Sequence, residues 1–195
     1  NGKAYVADTT NNRVLVFGNA GPAQPAATVP TDGATGVSSV PSFQMAATDP
    51  DGDALQYRIQ IARDAAFTTG VLNYDQSVSS TGWSGQTIGN TYGLGAVAAF
   101  TLPVNDILSA GTTYWWRVYT FDTFGTRTWS SPSTTRSFTT ASPASIAIAS
   151  TAQSVVAAQP SGAIRLELRD AGGNLVRSST STRIYLTSSS GTGVF

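Results

Sequence analysis

Asp49-Pro50-Asp51-Gly52-Asp53 sets three carboxylates at alternate positions around a glycine, and no other stretch of the 195-residue chain concentrates acid in this way. Hard oxygens of this kind suit Ca²⁺, which takes six to eight oxygen ligands at about 2.3–2.6 Å. Asp122 would add a ligand if its turn lies at the same end of the fold. An EF-hand is excluded, because no Glu stands at the twelfth position and no helical pattern flanks the loop. The competing reading spends the same side chains locally. In an Asx-type turn the Asp oxygens accept neighbouring backbone N–H groups while Gly52 supplies a positive φ. Calcium held by Asp49, Asp51, Asp53 and Asp122, and no cofactor at all, both stay open on sequence. Acid–base catalysis asks for two carboxylates of separated pKa in a cleft, which three on one exposed turn do not provide.

The remaining inventory removes most other chemistry. The chain has no Cys and no His, which excludes a Ser-His-Asp triad, a thiol nucleophile, a disulfide framework and an N/S zinc site. Its acid is ten Asp with Glu167 alone, and its base is ten Arg with Lys3 alone, for a net charge of zero. Nucleic acid and anionic membrane surfaces both call for a concentrated basic face, which this balance does not supply. No run approaches the ~20 apolar residues needed to span a bilayer. The expectation is a protein without catalytic residues.

A second constellation lies in Thr113-Tyr114-Trp115-Trp116-Arg117-Val118-Tyr119-Thr120-Phe121. Strand alternation puts Tyr114, Trp116 and Val118 on one face and Trp115, Arg117, Tyr119 and Phe121 on the other. The first set reads as core. The second is unusual for a solvent face: Arg117 can stack on its aromatic neighbours, and Arg58 joins them if its strand pairs with this one. Either this row is covered by the segment Ser77–Ala98 or by a neighbouring module, or it is a docking surface for another subunit, a surface protein or a glycan ring.

The elements that would carry these residues are strands. Period-2 alternation recurs between Gly, Pro, Asn and Asp punctuation, and helical periodicity is nearly absent, so the chain reads as all-β. Residues 1–17 form two short strands around a polar turn, and Ala7-Asp8, Asn11-Asn12-Arg13 and the apolar run after them resemble one NHL repeat, a single blade's worth of a β-propeller. Residues 18–30, with three prolines, read as an extended Pro/Gly spacer. Residues 31–141 hold about seven strands with turns between them, which suits an Ig-like sandwich better than a barrel, although strand count alone leaves the barrel open. Asp49 to Tyr57, Leu108-x-x-Gly111-Thr112-Thr113-Tyr114-x-Trp116-Arg117-Val118, Asp122-x-x-Gly125 and Trp129-Ser130 resemble the fibronectin type III-like modules of bacterial surface and secreted proteins. Ser77–Ala98 stands out from that pattern as an insertion or long loop. In residues 142–195, alternating Ile164, Leu166 and Leu168, the turn Asp170-Ala171-Gly172-Gly173-Asn174 and a strand around Ile184 and Leu186 resemble the first half of an invasin/intimin-type bacterial Ig-like domain.

The expected fold is therefore tandem Ig-like, fibronectin type III-like β-sandwiches preceded by a short β-hairpin. These resemblances imply a non-enzymatic structural or adhesive segment of a large extracellular or cell-surface protein. The alternative is a carbohydrate- or protein-binding accessory module of a secreted enzyme or receptor. Expected partners are neighbouring modules or other copies of the chain, joined by strand addition to the open edge of the last module. Lys-Asn isopeptide cross-links are excluded within either sandwich, since Lys3 is the only lysine.

Overall fold

The computed structural model describes residues 3–124, 126–154, 159–178 and 183–185. Its strands in chain order are β1 (Lys3–Asp8), β2 (Arg13–Gly18), β3 (Ala26–Val29), β4 (Ala34–Val37), β5 (Ser42–Ala46), β6 (Leu55–Ala62), β7 (Leu72–Asp75), β8 (Trp83–Ser84), β9 (Ala98–Thr101), β10 (Thr113–Asp122), β11 (Arg136–Thr140), β12 (Ser145–Ile148) and β13 (Leu166–Arg169). A single 3-10 turn, Val104–Asp106, is the only helical element among the described residues. None of them forms a helix long and apolar enough to cross a membrane.

Two sheets face one another, β3-β5-β9-β8 and β4-β11-β10-β6-β7. Lettered in chain order from β3 as A, A′, B, C, C′, D, E, F and G, these are the ABED and A′GFCC′ sheets of an immunoglobulin-like sandwich. Alternation decides which side chains enter the core. Leu55, Tyr57, Ile59 and Ile61 of β6 and Tyr114, Trp116 and Val118 of β10 are all buried, while the residues between them face outward. Trp116 lies fully inside, edge-on to Phe43 of the opposite sheet at 4.9 Å. Phe43 in turn meets Phe138 edge-on at 5.8 Å. Aromatic pairs of this geometry add about 0.5–1.5 kcal/mol each beyond the area they bury.

The start of β10 is fixed by a tyrosine corner, in which a strand-F tyrosine ties back to the backbone just upstream. Here the Ser109 N–H donates to the Tyr114 hydroxyl at 3.1 Å. The Leu108-x-x-Gly111-x-x-Tyr114 spacing permits this, with Leu108 buried beneath the corner and Gly111 turning at φ 59°.

Two expectations change. The spacer expected over 18–30 ends earlier, because Ala26–Val29 pairs with β5 as the first strand of the sandwich. Ala27 is small enough to lie buried at that edge, and the prolines at 25 and 30 fall just outside the strand, where no ladder N–H is demanded. Ser77–Ala98 is not a plain loop either. It supplies β8 and delivers Trp83 and Tyr92 into the core against Tyr57, at 6.4 and 5.3 Å. Gly82 makes that path possible, since at φ 83° a Cβ there would stand 2.6 Å from the Thr101 carbonyl oxygen.

Outside the sandwich, β1 and β2 pair only with each other among the described residues, while β12 pairs with β13, β13 bridges Leu175 through Arg169, and Arg177 bridges the sandwich at Ser109. Tyr5 and Val14 stand exposed on one face of the first hairpin, with Val6 and Phe17 exposed on the other. The Asp170 carboxylate closes the turn after β13 by accepting the Gly172 and Asn174 amides, both at 2.9 Å. Of the strand expected around Ile184 and Leu186, residues 183–185 show no strand, and Leu186 onward lies outside the described residues.

Candidate functional site

The acidic turn and the Asp122 turn do lie at the same end of the sandwich, and the chain entering it joins them. Asp49 is buried at 4% exposure, and its Oδ1 accepts the Asp51 and Asp53 amides at 2.8 and 3.4 Å. That is the Asx-type turn, with Gly52 at φ 83°. Its Oδ2 is buried without a hydrogen-bond partner among the described residues. Asp51 Oδ2 accepts the Ala20 amide, and Asp53 Oδ2 accepts the Asn19 side-chain amide at 2.7 Å. Asn19 also reaches the second turn, where its Oδ1 accepts the Thr126 N–H at 3.2 Å. The same N–H is shared with Asp122 Oδ2 at 2.7 Å. Asp122 is fully buried, and its other oxygen accepts the Phe124 amide at 2.9 Å.

Further along, the Thr120 hydroxyl donates to the Ala23 carbonyl at 2.8 Å, and the Ala23 N–H donates to the Thr48 carbonyl at 3.0 Å. Residues 19–23 are thus clamped against the end of the sandwich. A calcium shell would need six to eight oxygens free to turn inward. Among the described residues no group of three or more acidic, His or Cys side chains is arranged to hold a metal ion. One oxygen each of Asp49, Asp51 and Asp53 and both of Asp122 are spent on a hydrogen-bonded clamp. Sequence reasoning missed Asn19, because a residue 34 positions from Asp53 carries no local signal of its partner.

The outward row of β10 is half-buried, and it is neither bare nor covered by Ser77–Ala98. Register puts Tyr119 opposite Arg58 and Arg117 opposite Gln60. The Arg58 guanidinium lies between two rings, 4.3 Å from Tyr119 and 4.5 Å from Trp129. Arg117 stacks on Phe67 at 3.9 Å and is 5.5 Å from Tyr119. The result is an alternating ladder: Trp129, Arg58, Tyr119, Arg117, Phe67. Gln60 Oε1 pins it by accepting from Arg117 Nε at 2.9 Å and from the Tyr119 hydroxyl at 3.3 Å. Phe121 packs on Trp129 at 5.0 Å. Trp115, at the far end of the row, is half-buried opposite Ala62 and takes no part in the ladder. Trp129 is held by the segment after it: the Ser130 and Ser133 hydroxyls accept the Thr120 and Val118 amides at 3.0 and 3.1 Å.

A third feature lies between the sheets' first and last strands. β4 and β11 pair in parallel, with Ala34 opposite Phe138 and Val37 opposite Thr140. The Gly33 N–H donates to the Ser137 carbonyl at 2.9 Å, and the Ala141 N–H to the Val37 carbonyl at 2.7 Å. Asp32 Oδ1 accepts both the amide and the hydroxyl of Ser137, at 2.8 and 3.1 Å. Those bonds hold the Asp32 carboxyl below the ordinary aspartate value.

No family model matches the chain, and no curated protein does. Among solved structures it is similar to the PKD domain of M14-like peptidase from Thermoplasmatales archaeon SCGC AB-540-F20, with 24% identity, 63% of this chain and 97% of that chain covered, and a TM-score of 0.40. The NHL-, fibronectin type III- and invasin-type resemblances therefore gain no support from sequence families. What the strand order shows is the coarser statement, an immunoglobulin-like sandwich.

Proposed function

We propose that this chain is a non-enzymatic structural segment of an extracellular or cell-surface protein, and that its sandwich transmits tension between the elements attached at its two ends. The observation that carries the reading is the parallel pairing of β4 with β11. The chain enters β4 at one end of this pair and leaves β11 at the other. Tension along the chain therefore loads all of the bonds between them side by side, where an antiparallel pair pulled from one end would open one bond at a time. The clamp at residues 19–23 supports the same reading, since it makes the entering segment continuous with the sandwich rather than a free tether. The ladder of stacked Arg and aromatic side chains stiffens the outer face of the sheet that takes the load.

Neighbouring modules or further copies of the chain are the proposed partners. The exposed apolar residues on both faces of β1–β2 support this, because a lone two-stranded hairpin is marginal in water and gains from being covered. Pulling single molecules from both ends tests the proposal. A sandwich that ruptures in one cooperative step after the hairpins have extended is expected, and gradual extension without such a step would refute it.

A further inference from the structure

A recess of about 500 Å³ opens at the edge of the five-stranded sheet, between β7, the start of the 77–98 segment and the 3-10 turn after β9. That size lies within the range of small-ligand sites. Its apolar wall is made by Tyr74, Val78 and Pro103. Tyr74 is fixed from behind and above: its ring packs on Phe100 at 4.8 Å, and its hydroxyl donates to Asp106 Oδ2 at 2.8 Å. Val78 stands at the rim, 84% exposed.

The polar groups are of both kinds. Asp75 spends Oδ1 on Ser77, and Asp106 spends Oδ2 on Tyr74, which leaves one acceptor oxygen on each carboxylate. Asn105 makes no side-chain bond among the described residues, so its amide donors are free. Among the described residues neither Lys nor Arg lines the recess, so it offers no cationic side chain to match phosphate, sulfate or a uronic acid. A cation would satisfy the two carboxylates and leave the amide donors idle. A neutral sugar satisfies both sets, because each hydroxyl donates and accepts while the ring carbons cover an aromatic or aliphatic wall.

We propose that this recess binds a sugar unit of a neutral oligosaccharide, a role independent of the tension-bearing one. The test is amide NMR on the intact, isotope-labelled chain, titrated with maltotetraose, cellotetraose and N-acetylchitotetraose as probes. The expected result is saturable shifts with at least one probe, confined to residues 73–81 and 104–106. Asn105→Ala and Asp106→Asn, both at exposed positions, are each expected to weaken binding by at least about tenfold with the remaining spectrum unchanged. Silence at these amides with all three probes overturns the proposal. It is equally overturned if tetralysine saturates the same amides while the sugars do not, which would make the recess a cation site.

Discussion

Asp32 is joined to Ser137 twice, its Oδ1 accepting the backbone N–H at 2.8 Å and the hydroxyl at 3.1 Å. The pair sits where the chain first enters the sheet that its last sandwich strand leaves, and it adds a side-chain bond to the ladder between β4 and β11. Removing the carboxylate in Asp32→Ala is expected to lower the force at which the sandwich ruptures and to speed exchange of the Ser137 amide. An unchanged exchange rate there would mean the bond is not made in solution.

The pH dependence follows from the groups the chain contains. The Ser137 amide bond holds Asp32 below its ordinary 3.8, and bonds from the Asn11 side chain and the Asn174 amide do the same for Asp8 and Asp170. A carboxyl depressed in the folded state contributes stability fully above 3.8, and that contribution is lost as pH falls through the lower folded value. Burial pushes Tyr57 and Tyr92 the other way, from 10.0 to about 12, so stability is lost as pH rises between those values. With no His or Cys, the melting temperature is expected to be flat from about pH 5 to 9. A step near pH 6.5 in a series of thermal melts would contradict this.

Arg58 stacked between Tyr119 and Trp129 is expected to contribute about 1–3 kcal/mol, two cation–π contacts in a partly desolvated setting. Arg58→Ala should lose this in denaturant unfolding. Arg58→Lys should recover only part of it, because an ammonium cannot offer a flat face to both rings. Strict additivity of Arg58→Ala with Trp129→Ala would show that the two do not interact.

How much of this the sequence revealed depends on the range of each interaction. The inward set on β6 and β10 was legible, because alternation along a strand is local and Tyr114, Trp116 and Val118 are buried as it requires. The outward row was legible as unusual, and the pairing of Arg58 with Tyr119 was open to inference. The rings that cover it, Phe67 and Trp129, come from turns, whose approach to a sheet face has no periodic signature. The acidic turn was visible, while its partner Asn19 was hidden in a segment read as spacer. Ser77–Ala98 looked like a loop because its Gly, Ser and Thr content masks a two-residue strand and two isolated core aromatics.

Because Asp51 and Asp53 are occupied by Ala20 and Asn19, millimolar calcium is expected to leave the melting temperature unchanged. Asn19→Ala should instead open residues 18–23 to proteolysis while the sandwich stays folded. A calcium-dependent rise in melting temperature that Asp51→Asn abolishes would establish the metal reading of the cluster.

Gly82→Ala is expected to cost about 1–3 kcal/mol, through a left-handed backbone at φ 83° and a Cβ 2.6 Å from the Thr101 oxygen. Near-UV circular dichroism should report the loss through Trp83, which the same turn delivers to the core. A variant as stable as the parent would show that the 77–98 segment does not follow this path.

The direction of loading is the most direct test of a tension-transmitting sandwich. One set of single molecules is pulled through the two ends of the chain, and a second through handles at Ser38 and Ser142, which follow β4 and β11 at the same end of their parallel pair. The first geometry shears the pair and the second peels it. A clearly higher rupture force from the chain ends is the expected result, and an equal or lower force would contradict the mechanical role.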